Sequence, residues 1–172
     1  MDAVTETTLY VTSLREILWG IMLVATTMIM HGFGMILIMR VHGAFKPRLE
    51  RNPSFVLGVF ALILASWMII VVHLSEVAVW AGFFLWKDAL PNYSLCYYFT
   101  LNEYTTVGSN YNLPHHWRLL EGMVATAGLL GFAWSTGVLV TLAQGFQVRQ
   151  LRRLKQRREN RLTKPKSDRL TS

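Results

Sequence analysis

The apolar residues of this chain are gathered into three long runs without charged residues, at residues 17–39, 54–75 and 122–148. About 20 consecutive apolar residues are enough for a helix to cross ~30 Å of hydrocarbon. The pattern therefore predicts an all-α membrane protein. With their apolar extensions included, the three predicted transmembrane helices cover residues of about 17–39, 54–86 and 117–148.

The positive charges are concentrated beside the predicted spans. The formal net charge is +7, and ten of the seventeen Lys and Arg residues follow Val148. Four more lie between the first two spans. Because loops on the cytoplasmic side of a membrane carry an excess of Lys and Arg, both regions are predicted to be cytoplasmic. Residues 149–172 then form a basic cytoplasmic tail, and residues 1–16 form a lead-in on the outer side.

A polar stretch at residues 94–114 separates the second and third spans and is too short to cross a membrane. Its centre reads Thr105-Thr106-Val107-Gly108, with aromatic residues upstream and Leu-Pro-x-x-Trp-Arg downstream. The stretch resembles the pore loop of tetrameric potassium channels, in which a short helix runs into Thr-Thr-Val-Gly-Tyr-Gly. Over residues of about 54–144, the chain is similar to small bacterial potassium-channel-like proteins with one pore loop per chain.

The resemblance implies a potassium-channel-like pore module, with a re-entrant pore helix at residues 97–105 and a filter loop. Backbone carbonyls of such a loop replace the water around an ion. One loop cannot encircle an ion, so four copies around a shared axis are implied. The implied function is a homotetrameric channel for K⁺ and possibly Na⁺ in the plasma (inner) membrane, without a cofactor. The implied selectivity filter consists of Thr105, Thr106, Val107, Gly108, Ser109 and Asn110.

The filter sequence departs from that of the family. Where the family reads Gly-Tyr-Gly, this chain reads Gly108-Ser109-Asn110. Ser109 lacks the aromatic ring that packs around the filter, and Asn110 is expected to adopt a backbone conformation that costs less for glycine. We therefore expect a monovalent cation pathway with weak selectivity.

Two residues at the end of the predicted pore helix are expected to support the filter. Tyr104 would pack the helix against the flanking spans. Glu103 has two interpretations, either a buried brace behind the filter or a carboxylate that attracts ions. The brace is favoured because a residue three positions before Thr106 should point behind the filter on a helix.

Polar residues and glycines inside the spans raise further possibilities. His73 and Glu76 share one face of a helix near the outer rim of the membrane, where they are weak candidates for a metal- or proton-sensing pair. The alternative is a pair whose hydrogen bonds are satisfied within the protein. Gly131 and Gly137 are candidates for a gating hinge, with close helix packing as the other interpretation.

No phosphate-binding loop, nucleophile motif or metal-binding quartet is found, so the chain is not expected to be an enzyme. Cys96 is the only cysteine, which excludes an intrachain disulfide. The basic tail is expected to contact anionic lipids or to serve only as a topology anchor, not to bind nucleic acid.

Two other functions remain open from the sequence. A non-conducting or regulatory membrane subunit could retain the pore fold. A metal- or proton-responsive membrane protein could use a set of polar side chains. The residues considered for it are His31, His73 and Glu76, with His115 and His116 as further candidates.

Overall fold

The computed structural model describes residues 13–51 and 55–163. Every regular element in these two segments is helical. Parts of the predicted lead-in and tail, at residues 1–12 and 164–172, lie outside the described residues. The elements are α1 (Leu14–Arg51), α2 (Phe55–Trp86), α3 (Tyr93–Tyr104), a 3₁₀ turn (His115–Trp117) and α4 (Leu119–Thr163).

Three of the helices, α1, α2 and α4, are long and apolar enough to cross a membrane. Over the described residues, the predicted all-α architecture with three helices that could span a membrane is confirmed. The long helices extend beyond the predicted spans, because α1 begins at Leu14 and α4 continues through the basic tail as far as Thr163. Residues 149–163 contain neither glycine nor proline, so nothing in the local sequence ends the helix there.

The short helix α3 lies between α2 and α4 in the chain and packs against both. It begins four residues earlier than predicted, at Tyr93, because the side chain of Asn92 caps its first turn by accepting a hydrogen bond from the Leu95 amide (2.9 Å). The start of α4 is capped from another helix. The buried carboxylate of Glu16 on α1 accepts a hydrogen bond from the Leu119 amide (2.6 Å).

Two apolar clusters fill the interior of the bundle. A cluster rich in aromatic residues joins all four helices, and an aliphatic cluster joins α1, α2 and the later part of α4. Between these two clusters, each of the three long helices contributes at least one buried polar residue. The aromatic cluster includes Trp80, Phe83, Phe84, Phe99 and Trp117, and the aliphatic cluster includes Met35, Ile38, Ala65 and Ile69.

Candidate functional site

The segment after α3 folds back over the last turn of that helix. The carbonyl oxygen of Asn102 accepts hydrogen bonds from the amides of Val107 (2.9 Å) and Gly108 (3.3 Å). The Glu103 carbonyl accepts one from the Thr106 amide (2.9 Å). The amides of this segment are directed at α3. The carbonyls of residues 105–107 receive no hydrogen bond from any described residue. Val107 is 75% exposed in the single chain.

Glu103 holds this loop from the side of the helix. Its Oε1 accepts a hydrogen bond from the Ser109 amide (2.9 Å), and the side chain is half-buried. The contact is compatible with a brace behind the loop, and the choice between a brace and an ion-attracting carboxylate stays a prediction. Burial raises the pKa of the Glu103 carboxyl above its ordinary value, the Ser109 amide opposes that shift, and the nearby Glu121 charge adds to it.

Two residues of the loop have positive φ, Thr106 (61°) and Gly108 (80°). The value at Gly108 is the kind that glycine adopts without steric cost. At Thr106 the same region is strained, because the β-branched side chain clashes with the backbone. Asn110 does not have positive φ. The expectation that Asn110 replaces a glycine in a costly conformation is therefore wrong for this structure, and the strain lies at Thr106 instead.

Directly before the loop, five buried polar side chains from all four helices form a closed ring of hydrogen bonds. Glu76 of α2 bonds His31 Nδ1 of α1 (2.8 Å) through Oε1 and the Tyr104 hydroxyl of α3 (2.5 Å) through Oε2. The Tyr104 hydroxyl also bonds His73 Nδ1 (2.8 Å). The ring closes through Ser135 Oγ of α4, which bonds His73 Nε2 (2.9 Å) and His31 Nε2 (3.2 Å).

The ring is enclosed by protein. Its members are at most 7% exposed, and the aromatic side chains of Phe132 and Trp134 pack beside the two imidazoles. Burial, and secondly the hydrogen bond to Glu76, raise the pKa of the Tyr104 phenol well above its ordinary value, so the hydroxyl keeps its proton. The sequence placed His73 and Glu76 on one helical face near the outer rim. The structure places that face inside the bundle, where it meets His31.

Among the described residues, the ring also contains the only group of three or more His, Cys, Asp or Glu side chains placed closely enough that it could hold a metal ion. His31, His73 and Glu76 can each offer a ligand atom, and these atoms all lie within 4.8 Å of one another. Each nitrogen and oxygen involved already takes part in a hydrogen bond of the ring. A metal ion could be held there only by displacing those bonds. The further candidates His115 and His116 lie in the 3₁₀ turn. They are exposed and do not belong to the ring.

The glycines of α4 have different surroundings. A Cβ at Gly128 would lie 1.9 Å from the Tyr104 carbonyl oxygen, so this glycine permits the contact between α3 and α4. Gly131 faces the ring, where a Cβ would lie 3.0 Å from the Tyr104 hydroxyl oxygen. Gly137 has open space around it. Helix α4 is continuous through Gly131 and Gly137, and the hinge at either residue stays a prediction.

Two participants were missed from the sequence. Asn102 holds the loop through a backbone carbonyl, for which no side-chain signal exists. Ser135 was not among the candidate residues of the sequence analysis. A signal for it was present, since three polar side chains in otherwise apolar spans need partners, and a serine in the third span could supply one.

No protein-family model, curated protein or solved structure matches this chain. The loop at residues 105–110 and the buried ring are therefore the features from which a function can be argued.

Proposed function

We propose that four copies of this chain form a cation channel whose narrowest part is lined by residues 105–110. The observation that supports it best is the set of backbone carbonyls at residues 105–107 that no described residue satisfies. Within a membrane, such a backbone is tolerated only where it is buried in protein or lines water. Four loops around an axis would provide the rings of carbonyl oxygens that substitute for the hydration shell of an ion.

The surroundings of the loop suit this role. It follows the C-terminal end of α3, and the partial negative charge at a helix C-terminus favours a cation. Glu103 would act as a brace through the Ser109 amide. The strained φ at Thr106 is of the kind found at ligand-binding sites, where the surroundings hold a costly conformation in place.

Selectivity between K⁺ and Na⁺ is proposed to be weak, because Ser109 cannot contribute the aromatic packing of the related filters. We propose the orientation with the N-terminus outside and the basic extension of α4 on the cytoplasmic side of a plasma membrane. Residues 149–160 of that extension carry exposed Arg and Lys side chains on a helix. Such a cluster beside a span attracts anionic lipid.

Two measurements test the proposal. Native mass spectrometry in a mild detergent should give a mass of four chains, whereas a monomer or a dimer would contradict the assembly. Liposomes containing the purified protein should show K⁺ and Na⁺ flux above that of empty liposomes. A tetramer that gives no flux would favour the non-conducting membrane subunit.

A further inference from the structure

The buried ring contains five hydrogen bonds, and each of them requires one proton. Tyr104 and Ser135 bring one hydroxyl proton each, and a neutral imidazole brings one proton on each of His31 and His73. An ionised Glu76 brings none. The side chains in their ordinary neutral-pH forms thus supply four protons for five bonds.

The position of the missing proton follows from the donors and acceptors. A carboxylate can only accept, so Tyr104 and His31 Nδ1 must both donate to Glu76. The only proton of Tyr104 is then used, so its oxygen must accept from His73 Nδ1. Both Nε2 atoms are left with lone pairs directed at Ser135, whose single hydroxyl proton can serve only one of them.

One additional proton completes the ring. If one Nε2 gains a proton and donates to Ser135 Oγ, the serine donates to the other Nε2 and all five bonds are made. The same count results if the additional proton lies on Glu76, because the proton is then shared along the bond to His31 Nδ1. With five protons the ring is neutral, whereas with four it has a net charge of −1. An isolated charge buried between membrane helices is costly, so burial also favours the fifth proton.

We propose that this ring is a binding site for a single proton, occupied at neutral pH, whose release regulates the loop at residues 105–110. The regulatory part rests on the proposed channel function. Tyr104 is a ring member and the residue directly before Thr105, so the ring fixes the end of α3 from which the loop starts. Release of the proton breaks one bond and leaves the ring with a net charge of −1.

The groups that face the ring come from all four helices. They are His31 from α1, His73 and Glu76 from α2, Tyr104 from α3 and Ser135 from α4. No other ionisable side chain of the described residues forms a hydrogen bond or ion pair with them. The proton therefore belongs to this group as a unit.

Glu76→Gln is the decisive variant because it closes the ring without the extra proton. The amide oxygen of Gln accepts from Tyr104, and its NH₂ donates to His31 Nδ1. His31 Nε2–H then donates to Ser135, which donates to His73, so every bond is made by neutral groups. The variant thus resembles the occupied ring at every pH and keeps the size of the side chain.

The proton count can be measured without any flux. The protein is labelled with ¹⁵N-histidine, placed in nanodiscs with a chelator, and studied by NMR at pH 7, with signals assigned by replacing His42, His115 and His116 one at a time. We expect either three protonated nitrogens on His31 and His73, or two together with a protonated carboxyl seen by infrared absorption. Two protonated nitrogens with an ionised Glu76 would overturn the proposal. In Glu76→Gln both imidazoles should be neutral.

The regulatory part is tested by flux in liposomes as the pH is raised. The population of the occupied ring falls about tenfold for each pH unit above the midpoint, since one proton is released. Wild-type flux should fall on that curve, while Glu76→Gln should keep its neutral-pH flux. His116→Gln, which removes an exposed histidine, is the matched control and should follow the wild type.

The outcomes separate the two proposals. Parallel curves for the wild type and Glu76→Gln would overturn regulation by the ring. A correct proton count with no wild-type flux at any pH would contradict the channel and leave the proton site standing. If micromolar Zn²⁺, added without chelator, shifts the signals of both imidazoles and removes their pH dependence, the ring is a metal site and the proton proposal is wrong.

Discussion

Two adjacent residues, Tyr104 and Thr105, belong to regions with opposite properties. The side chain of Tyr104 is buried, and its hydroxyl has partners on two sides. Residues 105–107 are exposed, and their carbonyls lack partners among the described residues. The polar groups of the first region are satisfied within one chain, whereas those carbonyls of the second are not bonded by any described residue.

In the proposed tetramer, this difference separates the region that further copies of the chain would complete from the region that needs none. A polar group inside a membrane protein needs a hydrogen-bond partner. The ring finds its partners on four helices of the same chain, so it requires no neighbour. The loop has carbonyl oxygens to which no donor of a described residue is bonded. In the proposed channel, ions and other copies of the chain would complete this site.

The largest effect is expected from Gly128→Ala, which disrupts the helix contact that supports both regions. The new Cβ would lie 1.9 Å from the backbone oxygen of Tyr104, an atom that cannot move without displacing α3. Overpacking of this kind costs about 3 kcal/mol or more. The control is Gly122→Ala in the same helix, where the added Cβ has open space. Thermal unfolding in detergent should show a large loss for Gly128→Ala alone, and equal stabilities would contradict the close packing.

The next effect should be confined to the loop. Gly108→Ala meets no neighbouring atom, so any effect must come from the positive φ of 80°, which costs an alanine about 1–2 kcal/mol. We expect cation flux to be abolished or strongly reduced because the carbonyl of this residue turns away. Gly82→Ala, also with open space but in a helix, is the control for flux. Unchanged flux in Gly108→Ala would mean that ions pass elsewhere.

The sequence was sufficient for the parts of the fold that depend on composition. Three uncharged apolar runs predict three membrane-spanning helices, because the thickness of the hydrocarbon core sets the number of apolar residues that a span requires. Helical spacing also favoured a place for Glu103 beside the loop, where its side chain accepts a hydrogen bond from the Ser109 amide, while its role as a brace stays a prediction.

The ring could not be predicted in the same way, since it depends on how the helices rotate and pack. His31 and Ser135 are 104 positions apart and meet only after the helices have packed. Helical spacing pairs residues within one helix, so it linked His73 to Glu76 but not to partners on other helices. The backbone strain at Thr106 was missed for a related reason. The turn at Thr106 is held by backbone hydrogen bonds to the last turn of α3, which any residue could supply.

A smaller effect is expected from acid. Burial raises the pKa of Glu103 above its ordinary value, so the brace loses its charge at a higher pH than an exposed glutamate would. A neutral carboxyl accepts more weakly from the Ser109 amide, and flux should fall as the pH is lowered through this pKa. The raised pKa means that the folded chain binds the proton more tightly than an unfolded chain, so protonation does not itself unfold the protein.

The variant Glu103→Gln tests this titration. It should have the reduced flux of the protonated wild type at all pH values, with thermal stability unchanged in acid relative to the wild type. Glu159→Gln, which changes an exposed carboxylate on the extension of α4, serves as the control. An acid response that persists in Glu103→Gln would assign it to another group.

The smallest effect concerns the preference for K⁺ over Na⁺. It is tested by making Ser109→Tyr and Asn110→Gly singly and together. Ser109→Tyr with Asn110→Gly restores the family sequence and should raise the preference for K⁺ over Na⁺ if four loops form the filter. Asn110 has no positive φ, so Asn110→Gly alone should change the reversal potential little. Most of the gain should come from Ser109→Tyr, because an aromatic side chain can pack around the loop and hold its diameter. That gain will be limited, since the Ser109 hydroxyl that accepts from the Tyr111 amide (3.1 Å) is lost.

Reversal potentials in mixed K⁺ and Na⁺ measure the ion preference of all three variants. A wild-type potential already at the K⁺ equilibrium value would show that Ser109 does not weaken selectivity.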